Sequence, residues 1–133
     1  MDFKEILYRI LIQGGSYRVI LKGLWATVQI AVLSLLLGTL LGALVCWLRR
    51  SRAWPFRAVA AAYIVVLRGS PVLMLLMLMY YGVFARSSLG PVSIAVATFS
   101  LNVAAHVAEL LRASIAATDR GQVEAARTLG FSA

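Results

Sequence analysis

Residues 23–48 read GLWATVQIAVLSLLLGTLLGALVCWL and contain no charged side chain. An α-helix needs about 20 consecutive apolar residues to cross the hydrocarbon core of a bilayer, so this stretch is long enough to span it. We therefore predict a membrane-spanning helix at about residues 22–48, and this segment decides the fold class.

The composition of the whole chain agrees with that prediction. Of its 133 residues, 62% are hydrophobic and 14% are charged, whereas soluble domains are about 45–50% apolar. The formal net charge of +8 raises the question of nucleic-acid binding. However, the basic residues stand mainly at the ends of apolar segments and do not alternate with aromatic residues. We expect them to face lipid headgroups, with no nucleic-acid partner.

Two further apolar segments follow, at about residues 58–84 and 91–117. The first of these is interrupted by RGSP at residues 68–71, where proline disfavours helix at the preceding serine, so a kink or break is expected. Residues 1–15 alternate apolar and charged faces at helical spacing, which predicts an amphipathic interfacial helix. The predicted fold is an all-α membrane protein with about three transmembrane helices.

The orientation of the spans follows from RRSRAWPFR at residues 49–57, called here the basic turn. Short loops that combine arginines with an interfacial tryptophan lie on the cytoplasmic side of membranes. Three spans then place the amino end outside and the segment 118–133 in the cytoplasm. The single cysteine, Cys46, excludes a disulfide within the chain.

The third predicted span carries the polar candidates for function. Asn102, His106 and Glu109 share one helical face, and such a stripe should point into a bundle or a wet cavity, because polar groups are costly in hydrocarbon. Arg68 lies at a similar depth, so we hypothesise that Arg68 and Glu109 pair or line one cavity. The alternative is that Arg68 snorkels or caps the broken helix while Glu109 pairs with Arg112.

No catalytic or metal site is predicted from these residues. His106 and Glu109 supply two potential ligands, which do not close a zinc site, and no second histidine exists in the chain. No motif places a serine nucleophile beside that histidine. We therefore expect no cofactor, no bound metal and no bond chemistry.

Two short patterns predict packing and docking. Ser34, Gly38 and Gly42 recur every four residues in the first span, which favours close approach of another helix, unless these are glycines of the kind that any membrane helix tolerates. Asp119 and Gly130 suit the start and stop of a helix at 120–129. This helix is either a docking element or a solvated end.

The segments GQVEAARTLG (121–130), LRGSP (67–71) and HVAELLRASI (106–115) together resemble one membrane-protein family. They are similar to the membrane-spanning subunits of ATP-binding cassette importers that depend on a substrate-binding protein, in the polar amino-acid subfamily. The segment 17–42 and the pair Tyr80 and Tyr81 also fit, whereas His106 stands where the family usually has tyrosine. The resemblance implies that the E-A-A element, with its flanking glycines, couples to the ATPase, through Gly121, Glu124, Ala125, Ala126 and Gly130.

The same resemblance implies a function and its partners. The chain would be a permease subunit that moves polar amino acids across the bacterial inner membrane by alternating access. It would work with cytoplasmic ATP-binding subunits, a second permease subunit and an external substrate-binding protein, and ATP hydrolysis would reside in the partners. Arg68, Asn102, His106 and Glu109 are the candidates for the substrate path.

Family permeases have five core spans, with the E-A-A element before the last two. We therefore expect this chain to be an amino-terminal, truncated fragment of such a subunit. A small membrane scaffold or regulatory subunit that docks a cytoplasmic protein without transport is the alternative. An intramembrane enzyme is a more distant one.

Overall fold

The computed structural model describes residues 16–130, except for the side chains of Arg120, Gln122 and Val123. The interfacial helix predicted at residues 1–15 lies outside the described residues. All regular elements in the described part are helical, which confirms the predicted all-α fold class. Their order is α1 (Ser16–Arg49), α2 (Trp54–Gly69), α3 (Val72–Met77), a π-helix (Leu78–Val83), α4 (Pro91–Ala117) and α5 (Arg120–Thr128).

Helices α1 and α4 are each long and apolar enough to cross a bilayer. The segment between them forms a third candidate span only if α2 and the α3–π-helix unit are taken together, because their axes differ by 108°. The predicted break at Ser70 and Pro71 is confirmed, since α2 ends at Gly69 and Ser70 is extended, with φ −96° and ψ 135°. Pro71 has no N–H to donate, and its ring clashes with a helical conformation of Ser70, so the helix ends before Ser70.

Helices α1 and α4 run parallel to each other. Ser34 Oγ donates to the Val96 carbonyl at 3.3 Å across a separation of 62 residues. Cys46 and Ala108, which have the same separation, share one buried cluster further along the pair. Because residue numbers rise together along both helices, the chain between them must return from one end to the other. The basic turn and α5 therefore lie at the same end of the pair.

Glycines let α1 and α4 approach closely. A Cβ added at Gly38 would lie 2.6 Å from Val103 Cγ1, and one added at Gly42 would lie 2.7 Å from Val107 Cβ. On α4 the buried residues opposite them are small and recur at the same four-residue step, namely Ser100, Ala104 and Ala108. Two small-residue ridges thus face each other, the arrangement in which membrane helices gain the most van der Waals contact.

Helix α2 packs on α4 in the opposite direction. Tyr63 donates its hydroxyl to the Leu101 carbonyl at 2.6 Å. Ile64 is buried with Cys46 and Ala108 in a cluster that joins α1, α2 and α4. This three-helix contact is the core from which the polar residues project.

Candidate polar path and coupling helix

Glu109 is the centre of an ion-pair cluster at the end of the helix pair nearest α5. Its Oε2 lies 2.9 Å from Arg49 Nη1, and its Oε1 lies 2.6 Å from Arg112 Nη2. A direct Arg68–Glu109 ion pair is not present within residues 16–130, where Glu109 pairs with Arg49 and Arg112. That Arg68 and Glu109 line one cavity stays a prediction. The alternative, a local pair with Arg112, is present. Arg49 is the second partner because the parallel register brings the last residue of α1 beside Glu109.

Arg68 lies in the last turn of α2, and its side chain is exposed at the break before α3. The break itself is stabilised locally, since Ser70 Oγ donates to the Val66 carbonyl at 2.8 Å. An exposed guanidinium therefore sits where the backbone leaves its helical path. Such a group is available to an anion that approaches the break.

Asn102 holds the end of α2 against α4. Its Nδ2 donates to the Leu67 carbonyl at 3.3 Å, and the last four carbonyls of a helix have no partner within that helix. The side chain is half-buried. Asn102 thus supplies a hydrogen bond that the broken helix would otherwise lack, so it has a structural role whatever else it contacts.

His106 points away from the packed core. Its Nδ1 lies 2.9 Å from the Asn102 carbonyl, and since a carbonyl only accepts, we assign the proton to Nδ1. The residue is exposed, whereas Asn102 and Glu109 are half-buried. The expectation that the whole stripe points inward is therefore met only in part. The buried face of α4 includes Ala104, Ala105 and Ala108 instead, because small residues allow the neighbouring helices to approach.

No metal cluster is evident among residues 16–130, where no three His, Cys, Asp or Glu side chains are grouped as ligands. Glu109 has both carboxylate oxygens in hydrogen bonds to arginine. The interactions observed at Glu109 are ion pairs and hydrogen bonds.

Helix α5 forms where the sequence predicts it, with an end one residue earlier. Asp119 caps it, since its Oδ1 accepts from the Gly121 amide at 3.1 Å. After the helix, Gly130 adopts φ +85°, a left-handed conformation that glycine adopts at little cost. Both ends of α5 are thus specified by residues that the sequence analysis singled out.

The surface of α5 is available for contact. Glu124 and Ala125 are exposed, and Ala126 is half-buried. Leu129, an apolar side chain beside a polar helix, is 77% exposed. An acidic group, small residues and one large apolar residue together suit insertion into a groove on another protein.

Comparison with known proteins identifies the family. Residues 34–133 match the family described as the binding-protein-dependent transport system inner membrane component. The chain belongs to this family.

Relatives within this permease family match most of the chain. The chain is 34% identical over 123 residues to the L-cystine transport system permease protein TcyB of Bacillus subtilis. This match covers 92% of the chain and 53% of that protein. It is 40% identical over 113 residues to the arginine transport system permease protein ArtQ of the same organism, over 84% of the chain and 52% of that protein. The chain spans about half the length of the curated relatives it matches.

A solved structure has the same arrangement of helices. It is described as the crystal structure of an amino acid ABC transporter with histidines, and it superposes with a TM-score of 0.81 at 32% identity. The match covers 99% of this chain and 59% of that one. The fold of this chain is thus similar to that of part of the solved transporter.

Two residues of this permease chain form contacts between helices that the sequence did not predict. Arg49 was interpreted only as part of the basic turn, although it ends α1 and binds Glu109. Tyr63 was not singled out, although its hydroxyl joins α2 to α4. The available signal was the small-residue ridge on α4, Ser100, Ala104 and Ala108, because it indicates the face on which α1 packs, although it leaves the register between the two helices open.

Proposed function

We propose that the chain forms part of the permease subunit of an ATP-driven importer that carries polar amino acids across the inner membrane. Membership of the family supports this, as do relatives named as cystine and arginine permeases. The observation that carries the proposal is α5, a capped helix with an exposed docking surface directly after α4. A transport subunit needs such an element, because the energy of ATP hydrolysis must reach the membrane helices from outside the bilayer.

In this proposal α5 is the coupling helix and sits in a cleft of the ATPase. Its contact residues are Gly121, Glu124, Ala125, Ala126 and Gly130. Only Thr118 and Asp119 separate α4 from α5, so a displacement of α5 is passed directly to α4. The glycine ridge and the Arg49–Glu109 ion pair then oblige α1 to move with α4. Alternating access would follow from rocking of this unit as the ATPase subunits close and open.

The substrate path would run past the break between α2 and α3. Arg68 presents a cation there, which suits the carboxylate shared by all amino acids. Asn102, His106 and Glu109 continue the polar line along α4 toward α5. Because two arginines neutralise the Glu109 carboxylate, Glu109 would keep this region polar and rigid. Arg68 would attract the substrate carboxylate.

The parallel pair supports the orientation that the sequence predicts. The basic turn and α5 share one end, and the concentration of arginines favours the cytoplasmic side for that end. The amino end would then lie outside, where a substrate-binding protein would deliver its cargo. A second permease subunit would cover part of the exposed apolar surface of α1, and lipid would cover the rest.

The test is substitution in α5 with two readouts. Glu124→Ala in the assembled system should reduce both the ATPase that co-purifies with the chain and amino-acid uptake into cells. Arg86→Gln, an exposed change outside α5, is the matched control and should leave ATPase binding unchanged. If the unsubstituted chain supports no uptake and Glu124→Ala loses ATPase binding, the chain is a scaffold and the transport proposal is overturned.

A further inference from the structure

The basic turn carries positive charge that the described structure does not neutralise. Arg50, Arg52 and Arg57 are exposed, and within residues 16–130 no carboxylate lies within ion-pair distance of them. Glu109, which binds their neighbour Arg49, has its second oxygen bound to Arg112. One of the four arginines in the turn is thus structural, and the other three present their guanidinium groups outward.

Exposed aromatic residues lie close to these three arginines in the sequence. Trp47 and Trp54 are each 70% exposed, and Phe56 is 58% exposed. Tryptophan concentrates where a bilayer meets water, because its ring is apolar and its indole N–H is polar. The neighbouring tryptophans therefore favour a position of these arginines at the level of the lipid headgroups.

The start of α2 adds to the attraction for anions. Its first turn contains no acidic residue, and no side chain caps its amino-terminal end. The partial positive charge of a helix amino terminus therefore adds to the charge of Arg57, which lies in the same turn. Arginine binds phosphate through two parallel N–H groups, which makes it the cation best suited to a phosphodiester.

We propose that the basic turn is a binding site for the phosphate of anionic phospholipids in the adjacent leaflet, formed by Arg50, Arg52 and Arg57. The bound headgroups would anchor the corner between α1 and α2 while the neighbouring helices move. A cytoplasmic protein is the less favoured occupant, because the exposed tryptophans require an apolar phase beside the arginines. This inference goes beyond the transport proposal and does not depend on it.

The test measures lipid selectivity of the full chain reconstituted in phosphatidylcholine liposomes. Spin-labelled phosphatidylglycerol and phosphatidylcholine report the relative association constant of the anionic lipid by electron spin resonance. The triple variant Arg50→Gln, Arg52→Gln, Arg57→Gln should lower that constant by about threefold or more, since each basic residue near the surface contributes attraction to anionic lipid. The corresponding triple change to lysine should retain most of it.

Two controls separate the site from general charge and from folding. The first control is the triple variant Arg18→Gln, Lys22→Gln, Arg86→Gln, which removes the same charge outside the basic turn and should retain the lipid selectivity. The second control, Arg49→Gln, should retain it as well. An equal loss in the first control, or an unchanged constant in the glutamine triple, overturns the proposal. If the glutamine triple does not insert, the three single variants are measured, and an unchanged constant in all of them is equally decisive. Retained selectivity with lost ATPase binding would assign the turn to a protein partner.

Discussion

Arg49 ends α1, and its guanidinium lies 2.9 Å from the carboxylate of Glu109 on α4. This ion pair joins the two parallel helices at the end where α5 begins. Arg112 binds the other oxygen of Glu109 but belongs to the same helix, three residues further on. The two arginines therefore differ in what they hold together, and their substitution should differ in effect.

Arg49→Gln should lower the thermal stability of the chain in detergent more than Arg112→Gln does. The first change removes a contact between two helices, and the second removes a contact within one turn of a single helix, whose contribution is small. Arg50→Gln is the matched control, because Arg50 is exposed and should leave the melting temperature unchanged. Equal melting temperatures for Arg49→Gln and Arg50→Gln would show that the ion pair contributes nothing to stability.

Gly38→Ala should destabilise the packing of α1 on α4 by about 1–3 kcal/mol, the usual cost of overpacking. The added methyl would meet Val103 at 2.6 Å, and the branched valine side chain is too stiff to turn aside. Unfolding in mixed detergent micelles, followed by circular dichroism, measures the change.

Gly23→Ala is the control for that measurement. Nothing lies within 4 Å of a Cβ at Gly23, so the change should be neutral or stabilising by up to about 1 kcal/mol through helix propensity. If both alanine variants shift stability in the same direction by the same amount, the close approach of the helices at Gly38 is not what limits the packing.

Much of the fold could be predicted from the sequence because single features specify it. An uncharged run specifies α1, Pro71 specifies the break, and Asp119 with Gly130 specifies α5. The 108° bend could not be predicted, since proline removes a hydrogen bond but does not set the direction of the next segment. The partner of Glu109 on another helix could not be predicted from depth alone, because only the register of α1 against α4 selects Arg49.

Tyr63→Phe should reduce stability by about 1 kcal/mol, since it leaves the ring in place and removes only the hydroxyl that binds the Leu101 carbonyl at 2.6 Å. Tyr81→Phe is the matched control, because Tyr81 is 71% exposed and packs edge-on against Tyr80 through its ring. Unfolding free energies of both variants are compared in the same detergent. A loss in Tyr81→Phe as large as in Tyr63→Phe would mean that the bond between α2 and α4 is not the cause.

Gly130→Ala should weaken the end of α5, whereas Gly121→Ala should leave it intact. Gly130 adopts φ +85°, where a side chain costs about 1–2 kcal/mol. Gly121 lies inside the helix, and an added Cβ would meet only the Asp119 carboxylate at an ordinary 3.7 Å. Hydrogen exchange of the α5 amides should therefore be faster in Gly130→Ala alone.

The same two variants can be tested for ATPase binding. If Gly121→Ala loses ATPase binding while the hydrogen exchange of α5 is unchanged, Gly121 lies on the surface that contacts the ATPase. Faster exchange in both variants would instead mean that Gly121 is needed for folding of α5.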